Sequence, residues 1–261
     1  MRSGDTITFI GTSDLCDYHD FLLPDEDQTR YHTALIEAIE PIAWQTMRLE
    51  GLVDGSPTLR TLAEVARSKG YQVEQLPDEV SPGIELPASW NEHLDSLGGK
   101  DRHELRRKLR RLGAAGDIAI KDEAGSPDLE QQLAVFLRLM RSSRDDKDRF
   151  MTPLREAFFH KLSGVMAAEG LLRLFFLELD SVQVASALCF DFNGGYYLYN
   201  AGYDTRYASL SVGLLLKTLM LQQAIEEGRI RFSFLRGNEQ YKYDMGARDV
   251  QLYTLVIRRF Q

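Results

Sequence analysis

Three apolar, aromatic-rich segments, 171–179, 182–192 and 195–203, follow one another with only Asp180-Ser181 and Asn193-Gly194 between them. Two-residue joints permit only antiparallel neighbours, and Asn-Gly favours the type I′ turn, whose two positive φ angles match strand twist. The run is therefore read as a β-meander. Helical periodicity over 211–227, stopped by Gly228, separates its third strand from an apolar segment at 230–235. A strand, a helix and a strand in one sheet make a right-handed crossover, so those two strands are expected to be parallel. Upstream, 117–121 alternates as a strand, and Ser126 and Pro127 read as the N-cap and first residue of a helix on which Leu129, Leu133, Phe136, Leu137 and Met140 recur. After a polar loop, Thr152 and Pro153 open a second helix that Gly170 ends. A short helix at 238–246 and a strand at 250–257 complete the order β-α-α-β-β-β-α-β-α-β.

Residues 1–95 echo the later part of this order, with strands at 7–10, 44–49 and 71–75 and helices at 29–40 and 56–69. Ala34 to Glu40 precedes its strand much as Gln222 to Glu227 precedes 230–235. The pattern is that of a degenerate repeat whose first copy lacks its opening strands. The strand at 7–10 would then leave an open sheet edge, which either the C-terminal domain within the chain or, as expected here, a second subunit in a symmetric homodimer would cover.

The chain carries 31 Lys/Arg against 39 Asp/Glu, a net charge of -8. The distribution is uneven: residues 1–99 hold 6 basic and 18 acidic side chains, whereas 100–111 hold 7 and 2. Phosphate contacts need a positive face, so general nucleic-acid binding is not expected, and only the basic segment suits a polyanion. Leu97, Leu105, Leu109 and Leu112 give that segment an apolar helical stripe. Packing with a solvated basic side, docking of a polyanion such as tRNA or an anionic lipid-linked sugar, and contact with the acidic first ninety-nine residues are the three accounts of it. No run approaches the roughly 18 apolar residues of a membrane span, and the N-terminus shows no signal-peptide core. Cys16 and Cys189 stand far apart without a CxxC, which suggests a reducing cytoplasm and neither a disulfide framework nor a structural zinc. HExxH, Gly-x-Ser-x-Gly and Walker motifs are absent from the sequence, so metalloprotease, serine hydrolase and P-loop chemistry have no support, and no metal is expected.

The meander feeding a crossover helix resembles the GNAT acyltransferase fold, an α/β architecture with a mixed central sheet flanked by helices. Ser209-Leu210-Ser211-Val212-Gly213-Leu214-Leu215 and Phe234-Leu235-Arg236-Gly237-Asn238-Glu239-Gln240-Tyr241-Lys242 resemble GNAT proteins of the CelD/BcsL type, associated with cellulose biosynthesis and carrying a BioF2-like acetyltransferase domain. These are distant kin of the FemABX peptidyltransferases. The segment from Lys100 to Leu112 resembles the basic helix that joins the two GNAT-like halves of such proteins, and the likeness extends to Arg258. It implies a partial GNAT-like unit at 1–95, a linking helix at 96–116 and an acyltransferase domain at 117–261. The resembled proteins begin earlier, so Met1 is expected to be a late start.

The resemblance also implies a function: an N-acyltransferase moving an acyl group, acetyl first, from acyl-CoA to an amine of a small molecule, a sugar or a surface-polysaccharide precursor. Two alternatives stay open, an aminoacyl-tRNA-dependent transferase of the FemABX kind and a non-catalytic GNAT-fold partner of a polysaccharide assembly. GNAT proteins hold the acyl-CoA pyrophosphate on the amides that open the crossover helix, here Ser211, Val212 and Gly213. Of the family loop Arg/Gln-x-x-Gly-x-Gly/Ala only Gly213 matches, and the other account makes Ser211 an N-cap and Gly213 a packing residue. Gly202, inside the third meander strand, suggests a bulge that frees an amide for the acyl carbonyl. Asp204 is a candidate base, with a loop cap before Thr205 as its alternative. By resemblance Tyr241 protonates the leaving group, Lys242 neutralises phosphate or oxyanion charge, and Glu239 in the same segment is a further catalytic candidate. On this reading Lys242→Ala is expected to lower turnover with little change in Tm, and Gly213→Glu to abolish CoA binding with the fold retained.

Overall fold

The computed structural model describes residues 2–3, 5–24 and 26–259, and they divide into two compact units. One comprises the chain up to Ser81 together with 236–238 and everything from Asp249 onward; the other comprises 82–235 and 239–248. The boundary expected at 95 therefore falls at 81. The basic helix belongs wholly to the second unit, and the last strand leaves the expected acyltransferase domain for the first.

The first unit contains β1 (Arg2–Ser3), β2 (Thr6–Ile7), α1 (Gln28–Ile39), β3 (Thr46–Val53), α2 (Pro57–Ser68), β4 (Gln72–Val80) and the chain's last strand, β11 (Gln251–Arg258). Its sheet runs β1-β2-β3-β11-β4, with β2 and β3 parallel and the other pairs antiparallel. α2 starts where sequence rules place it: Ser56 Oγ accepts from the Thr58 amide and Pro57 needs no partner for an N–H it lacks. Leu59, Leu62, Ala63 and Ala66 then turn one face onto Met47, Leu49, Leu255 and Ile257, closing a core of its own. β2 is paired on both sides, by β1 and β3, so the edge on this side of the sheet is β1 rather than the segment at 7–10.

The second unit contains β5 (Gly83–Glu85), α3 (Trp90–Ser96), α4 (Gly99–Gly113), β6 (Ile118–Asp122), α5 (Leu129–Ser143), α6 (Asp145–Phe150), α7 (Pro153–Ala168), β7 (Leu172–Leu179), β8 (Val182–Phe192), β9 (Gly195–Tyr203), α8 (Val212–Glu226), β10 (Arg231–Ser233) and α9 (Gln240–Asp244). The sheet order is β5-β10-β9-β8-β7-β6. The meander and the parallel β9/β10 pair are as the sequence foretold. Both meander turns carry two positive φ angles, at Asp180 and Ser181 and at Asn193 and Gly194, so Asp-Ser adopts the same tight geometry as Asn-Gly. β7 is buried almost continuously because helices cover both faces of the sheet. α8 is apolar on nearly every side, with Val212, Leu215, Leu216, Met220, Leu221 and Ala224 all buried, since the sheet lies on one side and α3 and α4 on another.

Three local expectations change. α5 begins at Leu129, two residues late, with Ser126 accepting from Asp128 N–H in the preceding turn. The polar loop before α7 contains the helix α6, whose Asp145 and Asp146 open it and whose Arg149 ends it, as the helix dipole favours. Leu97 is buried but lies in the break between α3 and α4, so the apolar stripe of the basic helix is Leu105, Leu109 and Leu112.

Candidate active site

β9 and β10 are paired only from Gly195 to Tyr197 against Arg231 to Ser233. β9 then continues to Tyr203 without that partner, so its second half, 198–203, has no strand beside it on that side. Every side chain described in this subsection belongs to the second unit.

Gly202 does not form the bulge. The register shift in β9 lies at Tyr199, where Leu188 faces Asn200 and Cys189 faces Leu198. Gly202 is instead required by α5, since a Cβ there would stand 2.3 Å from the backbone of Met140. At the start of α8, Ser211 adopts the left-handed conformation (φ 59°) and its hydroxyl caps no amide. The hydroxyl accepts from Arg111 of α4 at 3.3 Å. Leu214 and Leu215 N–H donate to the Ser211 carbonyl. Val212 and Gly213 are buried, and a Cβ on Gly213 would come within 2.8 Å of the Tyr203 ring. The expected effect of Gly213→Glu on CoA alone therefore does not hold, because the glutamate would first displace that ring.

Asp204 occupies the N-cap before a six-residue 3₁₀ helix (Thr205–Leu210), accepts from Arg206 N–H at 3.0 Å, and pairs with the Arg206 guanidinium at 2.6 Å. Arg206 holds its carboxyl below the usual range even against desolvation. Lys242 is not a solvated surface lysine: its side chain is 2% exposed and its ammonium donates to the Leu235 carbonyl at 3.1 Å and meets Glu239 at 3.0 Å. Leu235 is itself left-handed (φ 56°), a conformation unusual for leucine, and Lys242 holds its carbonyl. Removing the ammonium strands that carbonyl, so a loss of stability replaces the unchanged Tm expected from sequence. Burial pushes the Glu239 carboxyl up, but the Lys242 hydrogen bond and charge outweigh it and leave Glu239 below the usual carboxylate range. Desolvation and then Glu239 push the Tyr241 phenol well above its usual value. The phenol keeps its proton at neutral pH and is a weak acid.

Two lysines escaped the sequence reading. Lys147 of α6 donates to Asn200 Oδ1 at 3.0 Å and to the Ala201 carbonyl, both on the unpartnered half of β9. Lys217 of α8 folds back to donate to the Gly213 carbonyl at 3.1 Å and lies 4.7 Å from the centre of the Tyr241 ring. Desolvation, then Arg144, push Lys147 down to about 8, and desolvation, then Lys147, push Lys217 down to about 7. The Asp-rich opening of α6 was a readable signal for the helix that carries Lys147. Lys217 left no such signal, because on an all-apolar helix only packing shows which way one lysine turns. Among the described residues no group of His, Cys, Asp and Glu is placed to hold a metal ion, and no helix is long and apolar enough to cross a membrane.

The acetyltransferase (GNAT) domain family matches residues 99–243, from the start of the basic helix to the lysine that follows Tyr241 and one residue beyond. The chain belongs to the GNAT family. It is thus an N-acyltransferase by family, on the mixed α/β fold read from its sequence. No match is found among curated proteins. Among solved structures this GNAT chain is similar to FemX, with a TM-score of 0.62 and 12% identity over 87% of this chain and 77% of that one. It is also similar to the C-terminal domain of a putative lysylphosphatidylglycerol synthetase from Agrobacterium fabrum, with a TM-score of 0.59, 12% identity, and 89% and 74% coverage. L-PGS from Bacillus licheniformis aligns with a TM-score of 0.56 and 13% identity over 91% and 75%. At such identities the likeness is one of fold.

Proposed function

We propose that this GNAT protein transfers an acyl group from acyl-CoA, acetyl-CoA first, to a primary amine of a sugar or surface-polysaccharide precursor. The observation that carries the reading is the arrangement at the start of α8. A guanidinium, Arg111, and a left-handed Ser211 stand at the positive end of α8, the 15-residue helix that joins β9 to β10. A phosphate there gains the helix dipole and the Arg111 charge together, while the acyl end extends toward Lys217, Tyr241 and Lys242.

A second reading, an aminoacyl-tRNA donor, is favoured by a separate observation. Val212 and Gly213 are buried, which withholds the amides that a CoA pyrophosphate uses, whereas Arg106, Arg107, Arg110 and Arg111 are exposed along α4 and continue the positive surface from Ser211. The resemblance to an L-PGS structure and to FemX agrees with it at the level of fold.

Thermal unfolding with acetyl-CoA, longer acyl-CoAs, free CoA and an aminoacylated tRNA minihelix separates the two. A ligand at 100 times its Kd raises stability by about 2.7 kcal/mol. Stabilisation by free CoA at least as large as by the minihelix, and cut to about half in Arg111→Glu, supports the first reading. Stabilisation by the minihelix alone supports the second, and none with either ligand refutes both.

A further inference from the structure

We propose that Lys217 is the proton acceptor of the transfer reaction, taking a proton from the acceptor's ammonium group beside the half of β9 that β10 leaves unpaired. This rests on the N-acyltransfer reading above and names the base that such a reaction needs.

The placement comes from three helices. Lys217 lies in the second turn of α8, and its Nζ turns back toward the helix start rather than out to solvent, bonded to the Gly213 carbonyl at 3.1 Å. Lys147 approaches from α6, held on Asn200 and Ala201 of β9, and Lys242 from α9, and the charges of both act on Lys217. The charged and titratable groups acting on Lys217 are Lys147 and Lys242, which oppose a second ammonium, and Glu239, which favours it. The Tyr241 ring face at 4.7 Å also favours it. The positive end of α8 opposes it. Desolvation and the two lysines prevail, so Lys217 holds its proton only weakly at neutral pH. A neutral amine that donates one N–H to a helix carbonyl still has its lone pair for an incoming proton.

The other candidates lack this property. Asp204 is pinned by Arg206 and Glu239 by Lys242, each held below the usual carboxylate range and hence a poor proton acceptor. Tyr241 keeps its phenolic proton. Only an acceptor with a pKa near the working pH both stays unprotonated and binds the proton well.

In the step, the acceptor enters as R–NH3+ and gives one proton to the Lys217 amine. The freed nitrogen lone pair forms the C–N bond to the acyl carbon, the bond from that carbon to the donor's sulfur or oxygen breaks, and the leaving atom takes the second proton from nitrogen. The products are the amide, the protonated leaving group and Lys217 ammonium, which returns its proton to solvent.

The test has two arms on the full chain. Trace labelling of the wild type with acetic anhydride across pH 5 to 11, read residue by residue by mass spectrometry, gives the titration midpoint of Lys217. Turnover is then followed against pH for the wild type, Lys217→Gln, Lys217→Met and Lys217→Arg, with acetyl-CoA and an aminoacylated minihelix as donors and a panel of primary amines led by glucosamine. We expect a midpoint near neutrality, a matching acid limb in kcat/KM, and a loss of roughly 10²-fold in kcat with little change in KM for Gln and Met. Arginine should not rescue, because a guanidinium remains protonated. A midpoint above pH 9.5, or variants that keep both turnover and the acid limb, overturn the assignment of Lys217 alone. Absence of turnover with both donors and every amine overturns the transfer reading, and the assignment with it.

Discussion

Two crossover helices, α1 in the first unit and α8 in the second, open in the same unusual way and end in different chemistry. Each joins a parallel strand pair, β2 to β3 and β9 to β10, and each follows a left-handed residue, Asp27 at φ 54° and Ser211 at φ 59°. Asp27 folds its carboxylate onto the Arg30 amide, so the positive end of α1 already holds an anion. Ser211 caps nothing, and Arg111 stands beside it. The buried base differs too: α1 carries His32, near Thr58 and the Asp20 carboxylate, whereas α8 carries Lys217 among other lysines. A repeat of backbone pattern is thus no repeat of side-chain environment, and the residue at the cap sets the two helix starts apart.

The largest expected effect compares two glycines. Gly202→Ala places a methyl against the α5 backbone and should cost about 4 kcal/mol or more, or prevent folding of the second unit. Gly55→Ala in the first unit meets nothing within 4 Å and loses only the ease of a positive φ of 80°, about 1 kcal/mol. Urea unfolding followed separately in each unit, through an introduced fluorophore, measures both. Equal losses would show that the close approach over Gly202 relaxes.

Next come two lysines. Lys242→Ala should lower stability by about 1 to 3 kcal/mol, by stranding the Leu235 carbonyl and emptying a buried site, as well as reducing turnover. Lys69→Ala in the first unit breaks an exposed pair with Glu37 at 3.2 Å and should change stability by less than about 1 kcal/mol. Matched melting curves for the two variants decide whether burial makes the difference.

The buried bases separate along the pH axis. Lys217 titrates near 7 in the fold and near 10.4 when unfolded, so between these values the unfolded chain binds more protons and stability rises with pH, by at most about 1.4 kcal/mol per pH unit. His32 is pushed below 6.5 mainly by desolvation, so its contribution rises only up to that pH and is flat above it. Subtracting the stability profile of Lys217→Met, and then of His32→Gln, from that of the wild type should give slopes in these two non-overlapping windows. A Lys217 difference that is flat from pH 7 to 10 would mean its amine is ordinarily basic.

The smallest effect bears on the caps themselves. Arg111→Glu should weaken donor binding about tenfold, or 1.4 kcal/mol, while Asp27→Ala should cost about 1 kcal/mol of stability and leave donor affinity unchanged. Titration of donor against both variants tests whether the second unit alone receives it.

The meander, its tight turns, the parallel crossover pair, the start of α2 and the cap of α7 were legible in the residues. Each depends on local rules of turn geometry, capping and side-chain period that act within a few positions. Local rules also suggested a second, degenerate unit. They did not show that β11 pairs with β3 and β4 of the first unit, nor that β5 pairs with β10 of the second, because strand partners far apart in sequence are chosen by which apolar faces fit. The same holds for the site. Glu239, Tyr241 and Lys242 stood out as a contiguous motif, but Lys147 and Lys217 lie 70 residues apart and matter only because α6 and α8 bring their charges within reach of each other. The reason Gly202 must be glycine was likewise written in α5. Sequence by itself determined most of the elements and the GNAT family of this chain; tertiary packing decided which charges meet, since proximity and desolvation set the affinity of an amine for its proton and neither is a property of the residue alone.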